Sequence, residues 1–516
     1  LQAREPVAFV HPIGAKCDRF ELPLQEVSAD AKGSAMSSTV DDHTHAQHHH
    51  QAPEVDASNE EFMLEPVPRA ARRSWLSMFV IWVGFGYVPT GLIVGGQLAG
   101  QGGEPGMTWP MALGTIIVGQ GFLVLLTIAL GVPAMRAGLN LSLISRYSYG
   151  KKGIILPMVI MAFLTLGWFA SIVGMVGDIF DVALGDLTGI YFNGLTLEYI
   201  LISMFWGLVF TYSAWKGIVA IERISGAAAP FILIVAIIAA VMMVSEFGGM
   251  GNVLAEAATK EGMSLGTGVT IIVGAWIAGV IMGVDIFRYA RQASHVLIGA
   301  GACFILTNPL LNLIGYTGSI ATGDSNFISW MVTKGVVLTI LGVVLWVLAL
   351  WTTNMSELYC NALYLGPAAN AVGIRLPRGK IVIVVGIIGS ILGAFGFYSY
   401  FFADFITILG AAFVPLAGPI LADYYVVRKR EYSTGAPDDL PNVRLPGIIS
   451  FIVGAILGIV FQYFLPLPFD FPAGIGALII TFVLHIVLSK ALAARPEQAI
   501  VETPGYHAQM ETEVTV

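Results

Sequence analysis

The chain has 516 residues, of which 56% are hydrophobic and only 12% charged, and its mean hydropathy of +0.78 excludes a soluble globular protein of ordinary make-up. The formal net charge of -8 resides largely in polar ends and outer loops, and no basic patch with interleaved aromatics marks a nucleic-acid surface. Cys17, Cys303 and Cys360 are far apart, with neither metal-ligand spacing nor a redox pair, and read as buried, inert thiols.

Residues 1-66 are polar, carry His43, His45, His48, His49 and His50, and read as a disordered, cytoplasmic tail. The histidine run implies no fixed ligand geometry, so no metal is assigned to it. The chain opens on Leu1, lacks an apolar signal segment before Arg69, and offers Met36 as an alternative start. Twelve apolar runs follow, near 75-99, 110-134, 153-177, 196-214, 227-246, 267-290, 296-321, 335-364, 380-399, 401-426, 446-466 and 471-493. Each is long enough for a hydrocarbon core of ~30 Å, which takes about 20 helical residues.

Loop charges test that count, because Lys and Arg concentrate in cytoplasmic loops. With the N-terminus inside, the inner loops receive Arg136, Arg146, Lys151, Lys152, Lys216, Arg223, Arg288, Arg291, Arg375, Arg378, Lys380, Arg428, Lys429, Arg430 and Arg444. The outer loops receive Lys260 and Lys334. Twelve spans with both ends cytoplasmic satisfy the alternation.

The first span contains VIWVGFGYVPTGLIVGG, Val80 to Gly96, with five glycines and a proline. In lipid every backbone polar group needs a partner inside the protein, so helix breakers survive where the opened backbone lines a site. Gly84, Gly86, Pro89 and Gly91 predict an unwound stretch, and Gly274 and Gly279 predict a second one in the sixth span, within Gly268 to Gly283. Such a pair points to the midplane site of a secondary transporter. Trp168 in the third span and Trp276 in the sixth lie away from the interfacial belts. Two indole faces suit stacking on a planar heteroaromatic solute, against a plain packing role. Thr352, Thr353 and Asn354 bring three oxygen-bearing side chains together in the eighth span, a donor set for a hard cation such as Na⁺.

Asp285, Glu357 and Asp404 are the acidic residues within spans that need a reason. Asp285 lies three residues before Arg288 and suits a structural ion pair. Glu357 is the proton-site candidate. His295 and His485 stand near span ends without partner spacing, and no nucleophile or metal cluster supports an enzyme. A channel would show pore-lining repeats or charged rings. A transporter-fold sensor without net transport is the remaining reading from another class.

Several stretches are similar to the nucleobase:cation symporter-1 family, in its purine/cytosine permease branch. They are EPVPRAAR, GLNLSLISRYSYGKKG, LGWFAS, VDIFRYAR, LWTTNMSELY and LAGPILADYYVVRKREY, spread between about Glu65 and Tyr432. The resemblance implies an all-α, LeuT-like fold of two inverted five-helix repeats with broken helices 1 and 6, in residues 67-430. Two peripheral helices occupy 431-494 and a second disordered cytoplasmic tail 495-516.

It implies a substrate held between Trp168 and Trp276, with Gly84, Thr165, Ala278 and Asn354 as further lining residues. It also implies a Na⁺ site of the Gly84 and Val88 carbonyls with the Thr352 and Thr353 hydroxyls. Thr165, Ala278 and Ala349 replace a glutamine, a serine and an asparagine of cytosine permease, which alters the partners offered to a base's edges. The expected function is symport of a nucleobase or related planar heterocycle with Na⁺ in preference to H⁺, without a cofactor, by a monomer in the plasma membrane. A hydantoin or allantoin carrier, or one for thiamine or pyridoxine, is the alternative.

The polar segment before Glu65 offers nothing to pack on the spans, while Arg69, Arg72 and Arg73 remain to anchor the first one. Deleting residues 1-60 is therefore expected to leave membrane insertion and uptake unchanged. A truncated protein that inserts but no longer transports would assign the tail a regulatory role.

Overall fold

The first span is interrupted for a backbone reason. In the computed structural model, which describes residues 66-100, 104-216, 219-324, 327-432 and 440-495 (backbone alone for 219-232, 327-328 and 352), α1 (Trp75–Gly86) starts at a Ser74 cap. Pro89 lacks an N–H and cannot return a bond to Phe85. The chain turns by 49° across Tyr87 to Pro89 and resumes as α2 (Thr90–Ala99). Cys17, Met36, the histidine run and both expected tails lie outside the described residues.

The second span is α3 (Trp109–Ala137), ended by Gly138 at φ 69°. A short helix, α4 (Leu141–Tyr149), precedes the third span, α5 (Ile155–Leu184). A hairpin of β1 (Tyr191–Phe192) and β2 (Leu195–Thr196), with Tyr191 opposite Thr196, leads into α6 (Leu197–Lys216). α7 (Val219–Glu246) and α8 (Met250–Ala257) meet at 82°, at Gly248 and Gly249, whose φ values of 90° and 99° suit glycine.

The sixth span, α9 (Leu265–Phe287), is one continuous helix. The seventh joins α10 (Ala293–Gly301) to α11 (Asn308–Thr322) through a π-helical turn, Ala302–Thr307. α12 (Phe327–Val332), α13 (Val336–Ala371) and α14 (Arg378–Ala394) follow. The tenth span runs from α15 (Phe397–Ile408) through a π turn, Leu409–Phe413, and a 3₁₀ turn into α16 (Ala417–Ala422), ending in a second π turn, Asp423–Val427. α17 (Leu445–Tyr463) and α18 (Ala473–Ala491) close the described chain.

Among the described residues nine helical runs are long and apolar enough to cross a membrane, or up to 11 when each bent pair counts as one span. The remaining expected span, 380-399, corresponds to α14, whose 17 residues extend about 25 Å at 1.5 Å per residue. Each expected run is thus helical, but α14 falls short on length.

The expected second break does not form. Gly274 and Gly279 sit inside α9, and no proline removes a helix bond there. A Cβ on Gly274 would lie 1.8 Å from the Ile406 carbonyl oxygen, and one on Gly279 3.1 Å from the Trp276 ring. Gly274 lets the tenth span approach the helix, and Gly279 leaves room for the indole of Trp276 one turn earlier on the same helix. In the first span the same reason governs Gly95, where a Cβ would lie 2.0 Å from Asn312 O, so that α2 and α11 meet backbone to backbone. Unwinding is confined to the three residues before Thr90.

Both ends of the helix bundle are tied. At the α4 end, Arg73 N–H donates to Tyr289 O at 2.7 Å and Arg72 Nη1 to Met135 O at 2.8 Å. Arg72 and Arg73 thereby clasp the ends of the second and sixth spans. Asp285 is a helix cap rather than only an ion-pair partner: its carboxylate accepts the Leu141 N–H of α4 at 2.8 Å and the Tyr364 hydroxyl at 3.3 Å. At the opposite end Gly106 N–H reaches Glu261 O at 3.1 Å, and Asp470 accepts the Gly266 N–H at 2.7 Å, at the start of α9.

The buried ion cluster at the α4 end joins four elements. Asp423 Oδ1 accepts from Arg444 Nη1 at 2.8 Å and Oδ2 from Arg428 Nε at 2.9 Å. His485 Nε2, from α18, stands 3.7 Å from the same carboxylate, so this histidine is not isolated as its sequence position suggests. Arg444 also donates to Tyr147 O, on α4. Removing one partner strands a charge without solvent, at a cost of about 3–5 kcal/mol. Asp423→Ala should therefore lower the Tm in detergent sharply. Glu246→Ala, which breaks an exposed pair with Lys334, should change stability by about 0–1 kcal/mol.

Candidate substrate and cation site

The break in the first span has a defined hydrogen-bond pattern. Gly91 N–H bonds Val88 O at 3.0 Å and Leu92 N–H bonds Pro89 O at 2.9 Å. Both bonds reach one residue nearer than in an α-helix, so Tyr87 O loses its usual partner, as Phe85 O does to Pro89. Carbonyl oxygens at such a turn can accept a cation or a ligand's N–H. Gly84 lies inside α1, exposed, with nothing within 4 Å of the position a Cβ would take. Val88 is buried at the turn.

The eighth span faces this break. Pro89 and Leu92 line a cavity together with Trp346 and Ala349 of α13. Ala349 is one turn before the threonine pair, and its carbonyl accepts the Thr353 hydroxyl at 3.3 Å. The side chain of Thr352 lies outside the described residues. The open turn thus borders one apolar space with Ala349, a turn before the threonines.

Asn354 is fully buried, and neither its Oδ1 nor its Nδ2 has a hydrogen-bond partner among the described residues. A buried amide in that state is rare and calls for an explanation. Glu357, one turn on, is also buried with Oε2 unpartnered. Asp404 is exposed on α15.

Trp168 is buried on α5 and meets Phe402 and Phe405 edge-on, with ring centroids 5.8 and 5.9 Å away. Trp276 is buried on α9 and meets Phe304 edge-on at 5.1 Å. Neither indole has a parallel ring stacked on it among the described residues. Thr165 is engaged elsewhere: its hydroxyl donates to Met161 O at 3.0 Å and accepts from Asn361 Nδ2 at 2.9 Å. Ala278 is buried on α9 and offers no polar group.

Sequence reading missed several contributors. Phe402 and Phe405 hold Trp168 from the tenth span, Phe304 holds Trp276 from the seventh, and Asn361 ties α13 to α5 by a second bond to Ala162 O at 2.6 Å. Nothing in the local pattern pairs these residues, because the partners lie in other spans. An amide in an apolar run is the one local signal that marks Asn361.

Residues 66–469 match the family model described as a permease for cytosine/purines, uracil, thiamine and allantoin. The chain belongs to the nucleobase:cation symporter-1 family. It is similar to the cytosine permease of Escherichia coli (strain K12), at 27% identity over 433 residues, covering 84% of this chain and 96% of that one. The hydantoin permease of Microbacterium maritypicum is 25% identical over 356 residues, covering 65% of this chain and 70% of that one.

Among solved structures, the inward facing conformation of Mhp1 superposes with a TM-score of 0.71 at 21% identity, covering 83% of this chain and 93% of that one. The fold is accordingly the LeuT-like architecture, and this symporter-family member is an integral membrane transporter, not an enzyme.

Leaving both ends of a buried amide unpaired costs about 1–3 kcal/mol. Asn354→Leu, of similar volume, should raise the Tm of the ligand-free transporter and at the same time weaken or abolish solute uptake. A variant that is stabilised yet transports normally would remove Asn354 from the site.

Proposed function

We propose that this protein imports a nucleobase or a related planar heterocycle by symport with Na⁺, through alternating access. The observation that carries the reading is the match of residues 66–469 to the permease family model, joined to the opened turn of the first span. Main-chain oxygens of Gly84 and Val88 and the hydroxyls of Thr352 and Thr353 supply hard oxygen donors for Na⁺, the Val88 oxygen using the lone pair left beside its bond from Gly91 N–H. Trp168 and Trp276 contribute flat, apolar faces whose stacking accepts a purine or pyrimidine ring, and Asn354 supplies a donor and an acceptor to a ring edge.

Cytosine is the reference substrate, by likeness to the cytosine permease of Escherichia coli. The apolar side chains of Ala278 and Ala349 and the engaged hydroxyl of Thr165 leave fewer polar partners for ring edges, which favours testing hydantoin, allantoin, purines, thiamine and pyridoxine alongside. The protein works as a monomer in the plasma membrane with both termini in the cytoplasm, on the charge alternation of its loops. Residues 67-430 form the transport core and 431-494 the peripheral pair.

A proton is the second reading for the coupling ion, favoured by the unpartnered Oε2 of buried Glu357. Uptake into proteoliposomes separates the two. Na⁺ coupling requires uptake that falls in choline and a mutual increase of solute and Na⁺ affinity by the same factor. Uptake indifferent to Na⁺ but driven by a pH gradient and lost in Glu357→Gln would assign the proton. Trp168→Ala and Trp276→Ala should each weaken solute binding by about 1–3 kcal/mol. Unchanged affinity in both folded variants would refute the stacking role.

A further inference from the structure

The strongest unassigned feature is a set of three carboxamides buried behind the first-span turn. Gln120 of α3, Asn308 and Asn312 of α11 are at most 2% exposed. Gln120 Nε2 donates to Asn312 Oδ1 at 2.7 Å and to Asn308 Oδ1 at 2.5 Å, which uses both of its hydrogens. Asn312 Nδ2 in turn donates to the Gly91 carbonyl at 2.9 Å. Gly91 N–H is the group that bonds Val88 O.

Gly91 is therefore held on both sides, its carbonyl by Asn312 and its N–H by the turn. Asn308 Nδ2 stands 3.0 Å and Leu311 Cβ 3.1 Å from where a Gly91 Cβ would be, so an alanine there would press on both.

We infer that Gln120, Asn308 and Asn312 are positioning residues of the transport site, fixing the Val88–Gly91 turn and hence the direction of the Val88 carbonyl. They touch neither the proposed Na⁺ nor the solute but act through the turn. The inference rests on the reading that this turn lines the site.

Three polar side chains buried in a membrane protein for packing alone are costly. Here Gln120 orients Asn312, whose Nδ2 reaches the Gly91 carbonyl, while Asn308 Nδ2 and Gln120 Oε1 find no partner among the described residues, and the chain of bonds joins the second and seventh spans to the first.

Asn312→Ala and Asn312→Leu test the role, with Ser390→Ala as control, since Ser390 is equally buried but bonds only Gly386 O of its own helix. Two readouts are taken. The first is hydrogen exchange of the purified, ligand-free protein across residues 88-95. Loss of one buried hydrogen bond of about 1.4 kcal/mol should speed exchange at Gly91 and Leu92 about tenfold, with no change in the control. The second is the NaCl midpoint for thermal stabilisation, with choline chloride as the blank, expected to rise about tenfold in both Asn312 variants.

Folded Asn312 variants with wild-type exchange at Gly91 and Leu92 would overturn the inference whatever the protein binds. Faster exchange with an unmoved NaCl midpoint would also overturn it, leaving a purely structural clamp. A wild-type protein with no response to NaCl refutes the Na⁺ reading instead. The positioning role is then decided by the midpoint for H⁺-driven cytosine uptake, expected to shift in the same variants. Should cytosine uptake show no shift, the role is refuted.

Discussion

A backbone opened inside a bilayer must find all its hydrogen-bond partners within the protein, and the turn at Tyr87 to Pro89 is built around that constraint. Pro89 removes one donor, and the N–H groups of Gly91 and Leu92 fold back over a shorter distance. What makes this tolerable is enclosure. α11 lies against α2 at backbone contact, Asn312 bonds the Gly91 carbonyl, and α13 walls the other side with Trp346 and Ala349.

The glycines serve this enclosure more than they serve flexibility. Gly86, Gly95, Gly274 and Gly315 each sit where a Cβ would overlap a neighbouring span, in three of the four cases its backbone. Without a hydrophobic drive between helices in lipid, such close approach is what holds spans together. The polar groups then lock it at each end. EPVPRAAR and Asp285 work at the α4 end, and Asp470 at the start of α9 on the opposite side.

Charge burial at Asp423 has a different logic. Arg428, Arg444 and His485 converge on it from the end of the tenth span, the start of α17 and α18, while Arg444 also reaches the α4 backbone. Replacing such a cluster by apolar residues is often neutral or stabilising. Its value here is directional, since it sets how the last two helices dock on the tenth span and α4. The proposed site is largely uncharged: Glu357, one turn from Asn354, is its acidic candidate, and the aromatic faces of Trp168 and Trp276 are apolar surfaces held edge-on by rings from other spans.

Much of this was legible in the residues. Apolar runs and alternating loop charge determined a polytopic helical protein, Pro89 among glycines determined where the first span opens, and motifs such as LWTTNMSELY determined the family. These signals are local: a missing N–H, a run of apolar side chains or a family motif acts at its own position. What the tertiary structure decided is which residues meet.

Gly274 and Gly279 read like a second break because a glycine looks the same whether it frees a backbone or admits a neighbour, and α9 stays whole because the tenth span packs there. Thr165 is tied to Asn361, nearly two hundred positions away, and His485 found Asp423. Gln120, Asn308 and Asn312 were silent as sequence, since an amide in an apolar run announces a partner without naming it, and only the helix packing supplies the partner.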